Sequence, residues 1–359
     1  MSHLALGDYI YQGAFLKSLV GRYPNLVLDV WIDDCRSIKK PWHTGRSNTL
    51  VQWLSSEPHI NYVYPIVNDG TALSSQLKHA HDKDYDAILY VATSRTANFA
   101  KTALKIKNQG QVFGTLAPTK LNNFLNHCVY KHLDGVLSIQ QLEDFNHITD
   151  YYHHIFCRFF DALEPERREL KLNLSDHFQR QCVHKLTGWK NKYNLVNPTI
   201  IFINHLATDR RRSWSRSKLK ELIQSASKKR PNTLFILNSP PHDFQSMKEW
   251  IMNNDDINSL PVELFTAKTD FFELPGLMSL CDLVISVETA IMHIASSLNI
   301  KQIALIRQSR SAYCWRPLNN SIILEGNKRH VETVQPIDVL DAIETSFKSM
   351  DHQDTVTDS

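Results

Sequence analysis

The stretch SVETAIMHIASSLNIKQIALI, Ser286–Ile306, contains the pattern from which the architecture follows. A short apolar run, Leu283–Ile285, comes before it and is typical of a buried strand. A polar break at Glu288 and Thr289 follows, then an amphipathic segment with one histidine, His293, and then a second apolar run. A buried strand, a polar turn, a helix and another buried strand form the repeating unit of a parallel α/β sheet.

The same alternation occurs on both sides of a charged, helical stretch at residues 139–189. The predicted strands are Val27–Ile32, Asn61–Ile66, Ala87–Val91, Val112–Gly114 and Gly135–Leu137, then Pro198–Ile203, Thr233–Leu237, Val262–Phe265, Leu283–Ile285 and Gln302–Leu305. The predicted helices include Tyr9–Arg22, Ser47–Ser55, Leu73–Lys83, Ala97–Lys107, Ser217–Lys228, Phe244–Met252 and Ile337–Met350. Because single cores stop growing at roughly 250–300 residues, the length of 359 residues indicates two domains. We predict two doubly wound α/β domains, 1–172 and 173–351, and a disordered polar tail at 352–359.

The composition is that of an ordinary folded protein, with 42% hydrophobic and 21% charged residues. A net charge of +3 is too small to predict a nucleic-acid partner, although it suits anionic ligands or an acidic membrane surface. The six cysteines form no CxxC pair, which favours reduced thiols in a cytosolic protein. No apolar run reaches the ~18 residues of a membrane span. We therefore predict a cytoplasmic protein whose membrane contact, if any, is peripheral.

Ligands of open parallel sheets bind beyond the carboxyl ends of the strands, so polar residues that directly follow a strand are the candidates for function. Glu288 and Thr289 meet this rule, and Thr289 is a natural cap for the helix after it. The free amides at such a helix start attract phosphate oxygens, and His293, one turn on, can reach the same place. The alternative is that Thr289 only caps the helix and His293 packs or meets solvent.

A second polar segment follows the strand Pro198–Ile203. It contains Thr208 and three arginines at Arg210–Arg212, ahead of the next helix. Arginine forks can bind a diphosphate through paired hydrogen bonds. A solvated basic loop or a weak nucleic-acid patch is the alternative, although a single aromatic residue, Trp214, is too little for base stacking.

Two carboxylates complete the candidates. Asp8 stands at the start of the predicted helix Tyr9–Arg22, where it either caps the helix or serves as a proton acceptor in a cleft. Asp243 comes shortly after the strand Thr233–Leu237, where it can accept hydrogen bonds from ribose hydroxyls or cap the next helix.

Other features point away from further chemistry. No GxG sequence occurs, which excludes a dinucleotide fingerprint and a Walker loop. The histidine pairs at 79/81 and 153/154 lack partner ligands at zinc spacing, and we predict no metal site. Asp33 and Asp34 follow a predicted strand and are weak candidates for contacts with an acceptor.

Taken in order, these segments resemble glycosyltransferase family 9, the ADP-heptose:lipopolysaccharide heptosyltransferases, over nearly the whole chain. The most specific match is DLVISVETAIMHIASSL, Asp282–Leu298. The other matches are Gly7-Asp8 at a helix start, YDAILYVATSRTANFA at Tyr85–Ala100, Arg212-Ser213-Trp214 and Pro241-His242-Asp243. The family usually has aspartate where this chain has Glu288, glycine where it has Ala290 and lysine where it has Arg212. It also has a longer first strand than MSHLAL.

The resemblance implies a GT-B fold, in which two Rossmann-like domains face each other across a cleft, with a final helix that often packs back toward the first domain. It implies an inverting, metal-independent transfer of heptose from ADP-heptose to a lipid A–Kdo acceptor, with no cofactor. Asp8 would be the general base and Arg95 would meet the anionic acceptor. The donor would be bound by Thr208, Arg212, Asp243, Glu288, Thr289, Ala290 and His293.

Two alternatives remain open. The same fold could use another nucleotide-hexose donor for a surface glycan, as the substitutions at Glu288 and Ala290 suggest. The chain could also be a non-catalytic member that binds a nucleotide sugar or a partner protein. A dehydrogenase ranks far behind both, because the glycine fingerprint is missing.

Overall fold

Parallel strands and helices alternate along the part of the chain that the computed structural model describes. That part comprises residues 1–2, 6–32, 41–67, 69–92, 94–116, 124–139, 141–160, 172, 174–318 and 321–351. The contacts divide the chain into two units, Met1–Leu170 (unit 1) and Lys171–Ser359 (unit 2). The predicted tail at 352–359 and the candidates Asp33 and Asp34 lie outside the described residues.

Unit 1 contains five named strands and six α-helices within its described residues. In chain order they are α1 Leu6–Arg22, β1 Asp29–Trp31, α2 Pro41–Ser56, β2 Tyr62–Tyr64, α3 Gly70–Asp82, β3 Ala87–Tyr90, α4 Thr96–Ile106, β4 Gln111–Leu116, α5 His127–Tyr130, β5 Gly135–Ser138 and α6 Ile148–Phe159. A 3-10 turn at Leu142–Asp144 precedes α6. Each predicted strand of this unit is present, and every predicted end lies within two residues of the observed one.

The N-terminal residues complete the sheet of unit 1. Ser2 forms parallel bridges to Ile32, just after β1, and to Val91, just after β3. With β1 paired to β2, and β3 to β4 to β5, the order is β2, β1, Ser2, β3, β4, β5. The chain therefore changes direction across the sheet between Ser2 and β3. Asp8 and Arg95 each follow one of these two central positions.

The interior of unit 1 is packed tightly around aromatic rings. Phe99, Ala100, Ala103 and Ile106 form one apolar face of α4 that is buried in the core of this unit. A Cβ on Gly114 of β4 would lie 2.0 Å from the ring of Tyr90 on β3, so only glycine fits there. These contacts fix β3 and β4 beneath α4, and with them the position at which Arg95 leaves the sheet.

The described residues of unit 2 contain six strands, of which the last was not predicted. Its elements are α7 Asp176–Lys192, β6 Thr199–Asn204, α8 Arg216–Lys229, β7 Thr233–Asn238, α9 Phe244–Met252, α10 Asp255–Asn258, β8 Val262–Phe265, α11 Glu273–Met278, β9 Leu283–Val287, α12 Ala290–Ser297, β10 Gln302–Ile306, α13 Arg310–Cys314, β11 Ser321–Glu325 and α14 Pro336–Asp351. Two 3-10 turns lie at Arg210–Arg212 and Val331–Thr333.

The six strands of unit 2 are all parallel, in the order β8, β7, β6, β9, β10, β11. The first three strands extend the sheet one way from β6, and the last three extend it the other way from β9. The two carboxyl ends at this switch point leave a crevice between loops that diverge, which is where doubly wound sheets bind ligands. A ligand site is therefore expected at the loop after β6 and the turn after β9.

The final helix belongs to unit 2. Val339, Leu340, Ile343 and Phe347 of α14 are buried in the same core as Leu219, Leu222 and Ile223 of α8. The prediction placed this helix at Ile337–Met350, and it runs from Pro336 to Asp351.

Candidate functional site

A chain of side-chain hydrogen bonds crosses the carboxyl ends of β7, β6 and β9. The Asn238 amide nitrogen donates to the Asn204 carbonyl oxygen at 3.0 Å, and the Asn204 amide nitrogen donates to Thr289 Oγ1 at 3.0 Å. Because the Thr289 hydroxyl accepts a hydrogen bond here, its own proton can point to Ser286 Oγ, 3.3 Å away, or to the oxygen of a ligand. The expected capping residue Thr289 is thus the N-cap of α12 by position, but its side chain makes no capping bond.

Glu288 forms an ion pair with Arg307, the first residue after β10. Arg307 Nη2 donates to Glu288 Oε2 at 2.9 Å and Nε donates to Oε1 at 3.1 Å. The backbone N–H of Arg307 also donates to Oε1. Only 9% of the Glu288 side chain is exposed. Arg307 therefore occupies most of the hydrogen-bond acceptor positions of the Glu288 carboxylate. Contact between Glu288 and a donor sugar stays a prediction.

The side chain of Arg212 extends from the loop after β6 to the turn after β9. Its Nη1 donates to the Glu288 carbonyl oxygen at 3.3 Å. Its Nε is buried and has no hydrogen-bond partner among the described residues. A guanidinium that is anchored at one nitrogen and unsatisfied at another is suited to receive an anionic ligand.

Trp214 anchors this loop. Its indole is 1% exposed and donates to the Val334 carbonyl oxygen at 3.0 Å, while its backbone N–H donates to the His205 carbonyl oxygen at 2.8 Å. Lys218 Nζ donates to the same Val334 oxygen at 2.9 Å. The position of Arg212 therefore depends on the segment that leads into α14.

The other polar residues of this loop differ in their surroundings. Thr208 is exposed, and its proposed contact with phosphate stays a prediction. The Arg211 guanidinium donates hydrogen bonds to the Asp209 carboxylate, with Nη2 2.8 Å from Oδ2. These hydrogen bonds lower the pKa of Asp209 to about 2. Arg210 is exposed. Of the three arginines, Arg212 is the one that contacts the turn after β9.

Asp243 does not cap the helix that follows it. It is the N-cap residue of α9, yet its side chain makes no capping bond. Instead, Arg216 Nη2 donates to both of its carboxylate oxygens at 3.1 Å. This excludes the capping alternative, and ribose binding by Asp243 stays a prediction.

The helix α12 begins at Ala290, directly after Thr289, so its first amides have no acceptor within the helix. His293 lies one turn further on, is 7% exposed, and has its ring 5.7 Å from that of Trp315. His293 therefore packs against an aromatic ring, and contact with a phosphate or sugar stays a prediction for it.

His205 is a buried polar residue at the switch point that the sequence analysis did not single out. Its Nδ1 lies 2.8 Å from the Trp214 carbonyl oxygen, to which only a protonated Nδ1 can donate. Its Nε2 is buried and unpartnered within the described part of the chain. Burial lowers the pKa of His205 below its usual range. The ring is therefore neutral at pH 7 and carries its proton on Nδ1.

In unit 1, Asp8 lies in the first turn of α1 rather than ahead of the helix, because the helix already begins at Leu6. Asp8 is half-buried, and its charge acts on the phenols of Tyr11, Tyr151 and Tyr152. Burial, and then the charge of Asp8, raise the pKa of each of these tyrosines. The three phenols therefore remain neutral at pH 7.

Arg95 is exposed at the start of α4 and has a left-handed backbone conformation, with φ of 52°. It follows β3 as Asp8 follows Ser2, on the two sides of the switch point in this unit. Both residues thus follow the sheet positions beyond which open parallel sheets bind ligands, while their roles stay predictions.

Two kinds of feature are absent from the described residues. No group of three or more His, Cys, Asp or Glu side chains among them is arranged to hold a metal ion. Within the same residues, no helix is long and apolar enough to cross a membrane.

Comparison with solved structures identifies the fold. A glycosyltransferase family 9 protein from Veillonella parvula DSM 2008 superposes with a TM-score of 0.75 at 15% identity, covering 96% of this chain and 95% of that one. The ADP-heptose lipopolysaccharide heptosyltransferase II of E. coli gives a TM-score of 0.69 at 15% identity, with 98% of both chains covered. The two parallel α/β units with loops at their switch points are those of the GT-B fold.

The chain belongs to glycosyltransferase family 9 (heptosyltransferase), whose model matches residues 138–337. It is also similar to lipopolysaccharide heptosyltransferase 3 of Escherichia coli (strain K12), with 20% identity over 368 residues that cover 94% of each protein. The predicted family and fold class are thereby confirmed.

Proposed function

We propose that this glycosyltransferase moves a heptose from ADP-heptose to the inner core of lipopolysaccharide, with inversion at the anomeric carbon. Two of the similar proteins support this assignment through their names, one as an ADP-heptose lipopolysaccharide heptosyltransferase and one as a lipopolysaccharide heptosyltransferase. We further propose that the enzyme works in the cytoplasm, in peripheral contact with the inner membrane where its lipid-linked acceptor lies, and binds no nucleic acid.

The observation that carries the donor half of this proposal is the contact between Arg212 and the turn after β9. Arg212 Nη1 reaches the Glu288 carbonyl oxygen, directly beside the Thr289 hydroxyl and the first amides of α12. A guanidinium, a hydroxyl and helix amides together form a set of donors for the oxygens of a diphosphate. Around this centre, Thr208, Ala290 and His293 would add phosphate or sugar contacts and Asp243 would hold ribose.

The acceptor half rests on Asp8. The hydroxyl oxygen of the acceptor attacks the anomeric carbon of the donor, and the bond from that carbon to the diphosphate oxygen breaks. The hydroxyl proton passes to the Asp8 carboxylate, and the electron pair of the broken bond leaves with ADP. General-base help of this kind typically accelerates a reaction by roughly 10²- to 10⁴-fold. The exposed Arg95 would bind an anionic group of the acceptor.

The charge that develops on the leaving ADP needs a positive partner. We propose that Arg212 and the amides at the start of α12 supply it, so that transfer needs no metal ion. Activity should then be unchanged after treatment with EDTA and passage through a chelating resin. A loss of activity that Mg²⁺ or Mn²⁺ restores would contradict this part of the proposal.

A different nucleotide-sugar donor is the second candidate, and the Glu288–Arg307 pair favours it. The carboxylate that would otherwise be open to sugar hydroxyls is bound by Arg307. Ala290 also places a Cβ at the start of α12, where the backbone would approach the ligand. Both features could select a donor with a different hydroxyl pattern.

The experiment is a transfer assay with purified acceptor and a panel of ADP-, UDP- and GDP-sugars, read out by mass spectrometry. Transfer from ADP-heptose alone supports the first proposal, and transfer from another donor supports the second. Asp8→Asn should abolish transfer and leave ADP binding unchanged. Asp82→Asn, which changes an exposed carboxylate at the end of α3, is the matched control and should keep full activity. Near-normal turnover by Asp8→Asn would remove Asp8 from the role of base.

A further inference from the structure

A carboxylate beside a phosphate-binding turn requires an explanation. Glu288 directly precedes Thr289 and the start of α12, where the proposed diphosphate would lie. An uncompensated negative charge there would repel the ligand, and more strongly in a partly buried turn than in water. Yet Glu288 is largely buried, with a single arginine bound to its carboxylate in a fork.

We propose that Arg307 is a positioning residue of the donor site, which neutralises Glu288 and fixes the peptide group on which Arg212 rests. This inference rests on the proposed function, since it concerns the binding of a nucleoside diphosphate at that turn. It assigns a role to a residue that lies after a third strand, β10, beyond the two strands of the switch point.

The contacts form a continuous path from β10 to the ligand. Arg307 holds the Glu288 carboxylate, and the carbonyl oxygen of Glu288 accepts from Arg212 Nη1. The anchored Arg212 keeps its buried Nε without a partner among the described residues. Removing the Arg307 side chain would therefore act on the ligand through Glu288 and Arg212.

The backbone N–H of Arg307 allows the charge of its side chain to be tested separately from the position of Glu288. It also donates to Glu288 Oε1, so Glu288 keeps one hydrogen bond when the Arg307 side chain is shortened. In Arg307→Gln, Glu288 should thus stay in place with its charge no longer balanced. With both residues present, the three charges at the turn leave one net positive charge from Arg212, and without Arg307 they cancel.

Substitution of Arg307 and substitution of Glu288 should therefore change ADP affinity in opposite directions. Arg307→Gln should weaken ADP binding by roughly 10- to 100-fold, the range for leaving a charged group unpaired. Glu288→Gln removes the repulsive charge and should leave binding within about 3-fold of the parent or tighten it. The double variant should bind within about 3-fold of the parent, because neither charge remains. Arg307→Lys keeps the charge without the fork and should lie between the parent and Arg307→Gln.

The experiment is isothermal titration of the full chain and its variants with ADP, UDP, GDP and inorganic pyrophosphate, with thermal unfolding to confirm folding. Arg329→Gln, which removes the charge of another exposed arginine, is the matched control and should bind like the parent. Equal binding by Arg307→Gln and the parent would overturn the inference alone. So would a Glu288→Gln variant, or a double variant, as weak as Arg307→Gln, since the pair would then be merely structural. If the parent binds none of the four ligands, the proposed function falls and this inference falls with it.

Discussion

Arg212→Met should separate the stability of unit 2 from its affinity for a nucleoside diphosphate. The substitution removes one hydrogen bond of 3.3 Å to the Glu288 carbonyl oxygen and a buried Nε that has no partner among the described residues. An unsatisfied buried donor costs about 1–3 kcal/mol, which is similar to what the lost bond contributes. The free energy of unfolding of the ligand-free protein should therefore change by no more than about 1 kcal/mol.

Ligand binding should change far more. Hydrogen bonds from a charged group contribute about 1.5–3 kcal/mol, so the Kd for ADP should rise by about 10- to 150-fold. A ligand at 100 times its Kd stabilises the native state by about 2.7 kcal/mol. At the same ADP concentration the variant should gain only about 0.3–1.4 kcal/mol.

The assay is urea unfolding with and without ADP, beside isothermal titration. Arg210→Met is the matched control, because Arg210 is an exposed neighbour in the same 3-10 turn, and it should bind ADP within about 3-fold of the parent. Arg212→Lys should keep part of the affinity, since it retains the charge but not the fork. A variant Arg212→Met that binds ADP normally, or one that loses more than about 2 kcal/mol of stability without ligand, would refute this reasoning.

Three further predictions concern the fold and the site. Because the pKa of His205 is lowered in the native state, the unfolded chain, with an ordinary pKa of about 6.5, binds a proton at a pH where the native state does not. The free energy of unfolding should therefore fall below pH 6.5 by up to about 1.4 kcal/mol per pH unit until the native pKa is reached. In urea titrations between pH 7 and 5, His205→Gln should flatten this decline. Asn204→Leu leaves Thr289 Oγ1 without its donor and should weaken ADP binding by roughly 10-fold in calorimetry, whereas unchanged affinity would show that the hydrogen-bond chain does not orient the hydroxyl. Gly114→Ala forces a Cβ to within 2.0 Å of an aromatic ring and should lower the free energy of unfolding in urea by about 1–3 kcal/mol. Gly21 lies in α1, where an added Cβ would meet nothing within 4 Å, so Gly21→Ala should be neutral or stabilising by up to about 1 kcal/mol. Equal effects of the two substitutions would contradict the close packing around Gly114.

Much of the fold could be predicted because buried parallel strands are short, continuous apolar runs. The strands β6, β7, β9 and β10 are of this kind, and the predicted ends of all five strands from β6 to β10 lie within two residues of those observed. The strand β11 was missed because its residues are only half-buried and it lies at the edge of the sheet. The resemblance gave a short first strand at MSHLAL, and among the described residues Ser2 takes that place, with one bridge to Ile32 and one to Val91. A single bridging residue has no apolar pattern from which its pairing could be predicted.

The site was predicted only as far as local sequence reaches. Thr289 and Arg212 could be selected because each follows a strand, and position after a strand can be derived from the sequence. Arg307, the partner of Glu288, could not be selected from the sequence. It stands nineteen residues further along the chain, and the two residues meet only because β9 and β10 lie side by side in the sheet. Asn204 and Asn238 each end a strand, so a search for polar last residues would have found both.

The carbonyl oxygen of Val334 connects two parts of unit 2 that are distant in sequence. It accepts from both Trp214 and Lys218, so the loop that carries Arg212 and the approach to α14 share one anchoring point. Opening of that helix would release the loop, and a bound nucleotide that holds the loop must in turn oppose the opening. Amide protons of the last helix should accordingly exchange more slowly when the nucleotide is present, which makes this helix a remote reporter of occupancy.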